Sequence, residues 1–382
     1  MKNYLLLLTL LCLSLSARAH DAEVDGIFYN LNAANKTATV TFKGYFSGTY
    51  NNEYSGDVVI PETVIYNGIT YSVTSLADGC FQYCSSLTAI TIPNSVTSVG
   101  SYCFTDCSSL TAITIPNSVT SLGERCFKGC SSLTAITIPN SVTSVGNECF
   151  QNCSSLTAIT IPNSVKSLGD YCFRGCSSLT SITIPNSVKS LGDYCFMGCS
   201  RLASITIPNS VTSLGTGCFS GCSSIERMMV DAANPVYDSR EDCNAIIHTS
   251  TNELIAGCKN SQIPNSVTSL ENGCFAHCSS LTAITIPNSV KSLGDYCFFQ
   301  CSSLTSITIP NTVKSLGDEC FEGCSSLTSI YMLPSTPPST GYGIFDRTPL
   351  KKVYVVDENA KTAYQAQEPW NQYAIVVMPT GI

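Results

Sequence analysis

Charged residues and histidines are scarce in this chain of 382 residues. Only 12% of the residues are charged, and the three histidines are His20, His248 and His277. The net charge of −8 leaves no basic patch that could bind nucleic acid. The sequence has no Gly-x-Ser-x-Gly elbow, no phosphate loop and no His-Glu-x-x-His motif. We therefore expect no nucleic-acid partner, no catalytic residues, no cofactor and no metal site.

Long apolar runs are also missing after the N-terminus, because no later segment reaches the roughly 18 apolar residues that span a bilayer. The first residues differ. Lys2 precedes an apolar stretch from Leu5 to about Ser16, and Ala17-Arg18-Ala19 forms a small-x-small cleavage site. This pattern predicts a signal peptide over residues 1–19, and a mature protein that is secreted or at the cell surface without a membrane span.

Cysteine is abundant, with 23 residues, and it is regularly spaced. A Cys-Phe-x-x-Cys unit recurs at a step of 23 residues within two series, beginning at Cys80, Cys103, Cys126, Cys149, Cys172, Cys195 and Cys218, and then at Cys274, Cys297 and Cys320. Such a period is typical of a solenoid, in which each coil buries its apolar face against its neighbours.

Each repeat reads as a short strand, a turn and a helical turn. In the repeat of residues 110–132, the apolar residues Leu110, Ile113 and Ile115 predict the strand, and Pro116-Asn117-Ser118 ends it. The cysteines and phenylalanine of the Cys126–Cys130 unit then fall on one face of a single helical turn.

The repeated cysteines have three possible roles. Free cysteine packs as a small hydrophobe, so a core position is the favoured interpretation. Disulfides between successive coils are a second possibility. A zinc site built from Cys103, Cys107, Cys126 and Cys130 is a third, although the three-residue spacer differs from the usual two-residue knuckle.

The pattern Leu-x-x-Ile-x-Ile-Pro-x-Ser-Val-x-x-Leu-Gly-x-x-Cys-Phe-x-x-Cys resembles the 23-residue leucine-rich repeat of the BspA-like surface proteins. The resemblance implies a curved, right-handed leucine-rich-repeat solenoid of short parallel strands, with short helical turns on the convex side. It also implies a β-rich N-terminal cap over 20–59, the solenoid over 60–330, and a C-terminal cap over 331–382 in which Tyr364, Trp370 and Tyr373 cover the last coil.

Function follows from the same resemblance. BspA-like proteins are thought to bind host or microbial macromolecules, which implies a non-catalytic, adhesin-like protein whose partner is an extracellular protein or glycan. A passive coat protein and an exported enzyme are the alternatives. In the family, alanine is more common where Cys80 and its equivalents stand, which supports a buried small-residue position.

The strand positions that face outward are nearly uniform. On the predicted concave side they form a threonine column that includes Thr114, Thr137, Thr160 and Thr183. Such a surface favours a repetitive ligand held by many weak contacts. Variation collects instead beside the Cys-Phe pair on the predicted convex side, which leaves a partner on that face as the second possibility.

Charged and titratable residues within the repeats have ordinary explanations. Asp170 and Asp193 occupy equivalent positions in neighbouring coils, and each follows a lysine by four residues, Lys166 and Lys189. Local charge compensation is the favoured interpretation, and a calcium site is the alternative. His277 stands at a position that varies freely among the repeats, so we expect a surface residue.

One insertion interrupts the repeat between Val230 and Ile263. Residues 231–262 form either a hairpin tolerated at the rim or a recognition loop, since irregular loops on rigid scaffolds often carry specificity. The candidate recognition residues are Asn234, Tyr237, Arg240, Glu241 and Asp242.

The insertion also contains two cysteines outside the repeat, Cys243 and Cys258. The polar segment Thr-Ser-Thr-Asn at 249–252 lies between two apolar runs, which predicts a hairpin centred between Ser250 and Thr251. Pairing outward from that centre sets Ile247 against Leu254 and Cys243 against Cys258. Direct opposition in an exported protein makes Cys243 and Cys258 a candidate disulfide pair.

Overall fold

The computed structural model describes residues 20–44 and 51–379, so the predicted signal peptide lies outside the described residues. The N-terminal part contains six strands, namely β1 (Ala22–Val24), β2 (Ile27–Asn32), β3 (Thr37–Thr41), β4 (Gly56–Val59), β5 (Thr63–Tyr66) and β6 (Ile69–Leu76). Strands β1, β2 and β3 form an antiparallel meander, and β3 then pairs in parallel with β6. This meander leads directly into the stack of coils.

Each regular coil before the insertion contributes a strand of three to five residues followed by a strand of two residues. These strands are β7 (Leu87–Thr91), β8 (Ser98–Val99), β9 (Ala112–Thr114), β10 (Ser121–Leu122), β11 (Ala135–Thr137), β12 (Ser144–Val145), β13 (Ala158–Thr160), β14 (Ser167–Leu168), β15 (Ser181–Thr183), β16 (Ser190–Leu191), β17 (Ser204–Ile207), β18 (Ser213–Leu214) and β19 (Arg227–Val230).

The insertion and the last coils contain the remaining elements. These are β20 (Tyr237–Asp238), β21 (Ala245–His248), β22 (Glu253–Gly257), β23 (Ser269–Leu270), β24 (Ser292–Leu293), β25 (Ser306–Ile309), β26 (Ser315–Leu316), β27 (Ser329–Met332), β28 (Ser339–Thr340), β29 (Lys352–Val355), α1 (Glu358–Gln365) and β30 (Ala374–Val377). Short 3₁₀ turns lie at Arg240–Asp242 and Trp370–Gln372.

The longer strands stack in parallel and in register, so that equivalent residues of successive coils lie side by side. Ile113 of β9 pairs with Ile136 of β11, which pairs with Ile159 of β13. These isoleucines are buried, whereas the alanines and threonines on either side of them are exposed. We call the side that carries these strands the strand face. The arrangement is the solenoid that the 23-residue period predicted.

The Cys-Phe-x-x-Cys segments lie on another side of the coil, which we call the turn face. The prediction of a helical turn there was wrong. Tyr102 and Asp106 have φ angles of 59° and 58°, and a helix has no place for such residues. The backbone N–H of Phe104 instead donates to the carbonyl of Cys126 in the next coil, 2.8 Å away. The segment therefore combines bonds to the next coil with local turns, such as the bond from the N–H of Cys107 to the carbonyl of Phe104 at 3.2 Å, and forms no helix.

Close packing of the coils explains the glycine that follows most of the two-residue strands, β23 with Glu271 and β20 with Ser239 being exceptions. A Cβ atom on Gly123 would lie 2.6 Å from the backbone nitrogen of Ser101 in the preceding coil. A side chain at this position would therefore push the coils apart.

The interior is divided into two apolar clusters at the insertion. One runs from the N-terminal strands to Cys258, and the other runs from Cys243 to the C-terminal end. At that end the ring centroid of the fully buried Trp370 lies 5.2 Å from that of Tyr364 in α1 and 5.7 Å from that of Phe345. Within the described residues no helix has the length and apolar character to cross a membrane.

Candidate functional site

The repeated cysteines belong to the core. All 22 cysteines in the described residues are buried free thiols. Cys107 donates its S–H to the carbonyl of Phe81, and Cys130 donates in the same way to Phe104. Burial raises the pKa of Cys149 to about 12 and that of Cys126 well above its usual range. The core interpretation is confirmed, because these thiols fill apolar space and are protonated at neutral pH.

The phenylalanines beside the cysteines form a column along the stack. Phe150 and Phe173 have parallel rings with centroids 5.4 Å apart, and the same spacing joins Phe173 to Phe196. These rings are fully buried. The Cys-Phe-x-x-Cys unit therefore packs in the core, where its side chains are not accessible for a reaction.

The repeated aspartates act as hydrogen-bond acceptors for the backbone. Asp170 Oδ1 accepts from the N–H of Asp193 at 2.9 Å, and Asp193 Oδ1 accepts from the N–H of Thr216 at 2.8 Å. Lys166 and Lys189 take part in none of the ion pairs of the described residues. The aspartates therefore tie one coil to the next, and charge compensation by the lysines does not explain them.

The threonine column is exposed, as the strand alternation predicted. Thr114, Thr137, Thr160 and Thr183 are in register and exposed on the strand face. The neighbouring Thr134 and Thr157 donate their hydroxyls to the carbonyl of the preceding coil. This surface is regular, and a binding role for it stays a prediction.

Three of the five candidate recognition residues hold the insertion in place. The buried Asn234 donates to the carbonyls of Pro208 and Val211, and the buried Tyr237 accepts from the N–H of Leu214 through its hydroxyl. Arg240 is paired with Asp238 and also donates to Asn252. Only Glu241 and Asp242 remain exposed. A recognition role for this set therefore stays a prediction that rests on two side chains.

The insertion contains the predicted hairpin, but its register differs. Ile247 pairs with Leu254 as predicted, after which a bulge shifts the pairing, so that Ile246 lies opposite Ala256 and Ala245 opposite Gly257. The prediction that Cys243 lies opposite Cys258 was wrong. Both are free thiols and pack into different apolar clusters, and Cys258 Sγ lies 3.4 Å from the carbonyl oxygen of Asn244.

The hairpin forms part of the stack rather than lying on its rim. Strand β22 pairs in parallel with β23, and Leu254 stands in register with Leu270 at a fully buried position. Cys258 precedes Pro264 by six residues, as Leu110 precedes Pro116, and it is likewise buried. The insertion therefore supplies an additional coil.

This additional coil has no turn-face segment. The chain advances only four residues from Leu254 to Cys258, whereas it advances eleven from Leu122 to the equivalent Leu133. On the turn face, the coils before and after the insertion consequently meet. The N–H of Gly221 donates to the carbonyl of Ala276 at 3.1 Å, and the ring of Phe275 packs against Gly257.

A cleft of about 320 Å³, the turn-face cleft, lies at this junction. Tyr171 and Tyr194 line one side with stacked rings 5.2 Å apart, and Tyr296 and Phe299 line the other side with rings 5.6 Å apart. Small residues lie between the two aromatic walls, namely Gly217, Ser220, Gly273 and Ala276. The cleft thus combines aromatic walls with a floor that has few side-chain atoms.

Three nitrogen-containing side chains line the same cleft, namely Arg174, Asn272 and His277. The guanidinium of Arg174 lies 5.4 Å from the ring centroid of Tyr171 and belongs to none of the ion pairs of the described residues. His277 is half-buried against Phe299, with ring centroids 5.1 Å apart, and burial lowers its pKa. His277 is therefore partly exposed at the surface, as expected, but it lies in a cleft rather than on an open face.

Sequence reasoning located the variable positions of the turn face but missed this cleft. The available signal was the run of small residues at 217, 220, 273 and 276, at positions where other coils carry tyrosine, arginine or lysine. Seeing the two halves as one site required knowing that the coil between them lacks its turn-face segment.

The sequence matches the family described as BspA type leucine-rich repeat region over residues 51–176, 143–239 and 251–367. Comparison with curated proteins gives no match. Among solved structures, a leucine-rich cell-surface protein from Faecalibacterium prausnitzii is 29% identical, with a TM-score of 0.74 over 94% of this chain and 95% of that one.

Two further structures share the fold at lower identity. A leucine-rich-repeat protein from Eubacterium ventriosum is 20% identical with a TM-score of 0.58, covering 95% of this chain and 84% of that one. The pneumococcal vaccine antigen PcpA is 18% identical with a TM-score of 0.56, covering 94% and 98%. With the family match extending over most of the sequence, this chain belongs to the BspA-type leucine-rich-repeat family.

Proposed function

We propose that this protein is an exported, non-catalytic binding protein of the cell surface that contacts an extracellular protein or glycan at the turn-face cleft. Membership in a family of repeat proteins that includes a cell-surface relative supports the location. The cleft is the single observation that supports a binding role. The repeated cysteines, phenylalanines and aspartates described above hold the coils together instead.

The chemistry of the cleft fits recognition better than it fits a reaction. Aromatic side chains supply large contact areas at small cost in conformational entropy, and concave sites with a few polar groups are where ligands usually bind. His277 is the one imidazole that lines the cleft, and no carboxylate lines the cleft beside it. The walls can therefore hold a ligand, but they supply no acid–base pair.

The experiment is a binding array of extracellular-matrix proteins, mucins and bacterial surface glycans probed with the intact chain and two variants. Tyr296→Ala removes an exposed wall residue of the cleft. Tyr102→Ala is the matched control, because Tyr102 occupies the equivalent position of another coil, outside the cleft. We expect the intact chain to bind at least one ligand of the array. Tyr296→Ala should reduce that binding at least tenfold, and Tyr102→Ala should leave it unchanged.

Other outcomes identify the alternatives. Flat signal over the whole array favours a passive coat protein. Strong signal that both variants retain places binding elsewhere, such as the threonine column, and overturns the assignment to the cleft. Turnover of an array ligand by the intact chain would indicate an exported enzyme.

A further inference from the structure

The residue just before each Cys-Phe pair forms a column along the turn face. Tyr171 and Tyr194 fill two successive positions of this column with parallel rings 5.2 Å apart. The next two positions are Gly217 and Gly273, and the column continues with Tyr296. An aromatic stack is thus interrupted by two positions that have no side chain.

The two glycines differ in how much space they leave. A Cβ atom on Gly217 would lie 2.6 Å from Cε1 of Tyr194, so the Tyr194 ring already covers that position. A Cβ atom on Gly273 would meet only the Cβ of Ala276, at 3.7 Å. The open space therefore lies above Gly273, between the Tyr194 and Tyr296 walls, and we call it the ring slot.

Polar groups surround the ring slot. Tyr171, Tyr194 and Tyr296 bring phenol hydroxyls, Thr216 brings an exposed hydroxyl, and Asn272 brings an exposed amide whose oxygen already accepts from the N–H of Asp295. A purely aromatic guest would make no hydrogen bonds with these groups beyond the reach of the phenols themselves. A guest that carries hydroxyls around a ring would satisfy them.

Charges of both signs stand at the two walls. Arg174 lies over Tyr171 at one wall. Behind the other wall, in the next coil, the carbonyl of Asp318 accepts from the N–H of Tyr296 at 2.8 Å, and the carboxylate of the adjacent Glu319 raises the pKa of the Tyr296 phenol. A strongly anionic guest would approach this carboxylate, and a cationic guest would approach Arg174. The balance favours a guest without net charge.

We propose that the ring slot binds the pyranose ring of a neutral sugar unit in an extracellular glycan. The C–H groups on a pyranose face carry partial positive charge and meet the negative face of an aromatic ring, while the hydroxyls at the ring edge meet the phenols, Thr216, Asn272 and Arg174. This assignment rests on the proposed function and names the ligand class of the same cleft.

The chain itself supplies a variant that closes the slot. Gly273 has a φ angle of 65°, and tyrosine stands at the equivalent positions of other coils with φ angles of 59°, 55°, 53° and 56°. Gly273→Tyr therefore places the missing ring without demanding a new backbone conformation. Gly79→Tyr is the matched control, because Gly79 holds the same position near the N-terminal end of the stack.

The test uses saturation-transfer NMR and calorimetry on the full mature chain with methyl β-glucoside, methyl β-galactoside, methyl β-glucuronide and N-acetyltyrosine amide. We expect a neutral glycoside to bind, Gly273→Tyr to weaken it at least tenfold, and Gly79→Tyr to leave it unchanged. Thermal melting checks that both variants fold. Tyr296→Ala is a second variant of the same slot, in which one wall is removed instead of the space being filled.

Several results overturn the proposal. Binding of the glucuronide or of the tyrosine amide in preference to the neutral glycosides assigns a different guest, and glycoside binding that survives both Gly273→Tyr and Tyr296→Ala places the sugar elsewhere. If no glycoside binds but array partners are still lost in Gly273→Tyr, the cleft binds protein and the proposed function stands. If array binding also survives that variant, both proposals fail.

Discussion

Gly221 donates its backbone N–H to the carbonyl of Ala276, 55 residues later in the chain, at 3.1 Å. In the regular coils the same bond reaches only 22 residues ahead, as from Gly198 to Ser220 at 2.8 Å. The bond spans more residues at this point because the inserted coil has no turn-face segment. That coil still contributes to the core, and its strand β22 pairs with β23. The turn-face cleft is a direct consequence of this contact.

Leu254→Ala tests whether the insertion is part of the stack. Leu254 is fully buried and in register with Leu270, so we expect a loss of about 2–5 kcal/mol in unfolding free energy, measured by urea denaturation. Ile65→Ala is the control, since Ile65 is 65% exposed in a terminal hairpin and should change stability by less than about 0.5 kcal/mol. If Leu254→Ala lowers the unfolding free energy as little as the control does, the hairpin does not contribute to the core of the stack.

Phe173→Ala tests the coupling of neighbouring coils. The ring is stacked between Phe150 and Phe196 with no exposure, and its removal should cost roughly 3–5 kcal/mol in unfolding free energy. Chemical denaturation followed by circular dichroism measures the change. A cost below about 1 kcal/mol would mean that the column is loosely packed.

Native thiols should react slowly with Ellman's reagent, because burial excludes the reagent and raises the thiol pKa, which reaches about 12 for Cys149. Labelling in denaturant gives the total for comparison. Rapid labelling of many cysteines in the native protein, zinc in the purified protein, or a Cys243–Cys258 disulfide peptide in non-reducing mass spectrometry would contradict this expectation.

Glu148 should stabilise the fold in a pH-dependent way. It is paired with Arg125 and Lys128, and the Arg125 hydrogen bond helps lower its pKa from 4.5 to about 2. A lowered carboxyl pKa gives stability that is present above pH 4.5 and is lost as the pH falls toward 2. The stability difference between the native chain and Glu148→Gln should therefore shrink over that range in urea titrations.

The control for that experiment is Glu62→Gln, because Glu62 is exposed and takes part in none of the ion pairs of the described residues. Its effect should be small at every pH. An effect of Glu148→Gln that stays constant from pH 7 to pH 2.5 would show that the ion pairs contribute nothing.

Thr137→Lys tests the strand face. The column is uniform, so any ligand held there is held by repeated weak contacts, and one substitution should weaken array binding by less than about tenfold. Thr160→Lys, one coil further along, should have the same effect. Abolition of binding by only one of the two would reveal a unique site on that face.

The sequence alone determined the solenoid, because a 23-residue period in which apolar residues recur at fixed positions leaves stacking as the one way to bury them. It also determined the buried cysteines and the exposed threonine column, since alternation along a strand sends Ile113 inward and Thr114 outward. It did not determine the conformation of the Cys-Phe-x-x-Cys segment, where the local spacing suggested a helix but the chain forms local turns and bonds to the next coil.

Only the tertiary structure decided the role of the insertion and the existence of the cleft. A bulge between Ile246 and Ile247 shifted the hairpin register that counting from the turn had predicted, and β22 pairs with the following coil as well as with β21. Tyr194 and Tyr296 are 102 residues apart in the chain and face one cleft because the coil between them skips the turn face. A missing segment leaves no local pattern to read, so its effect becomes visible only when the coils are stacked.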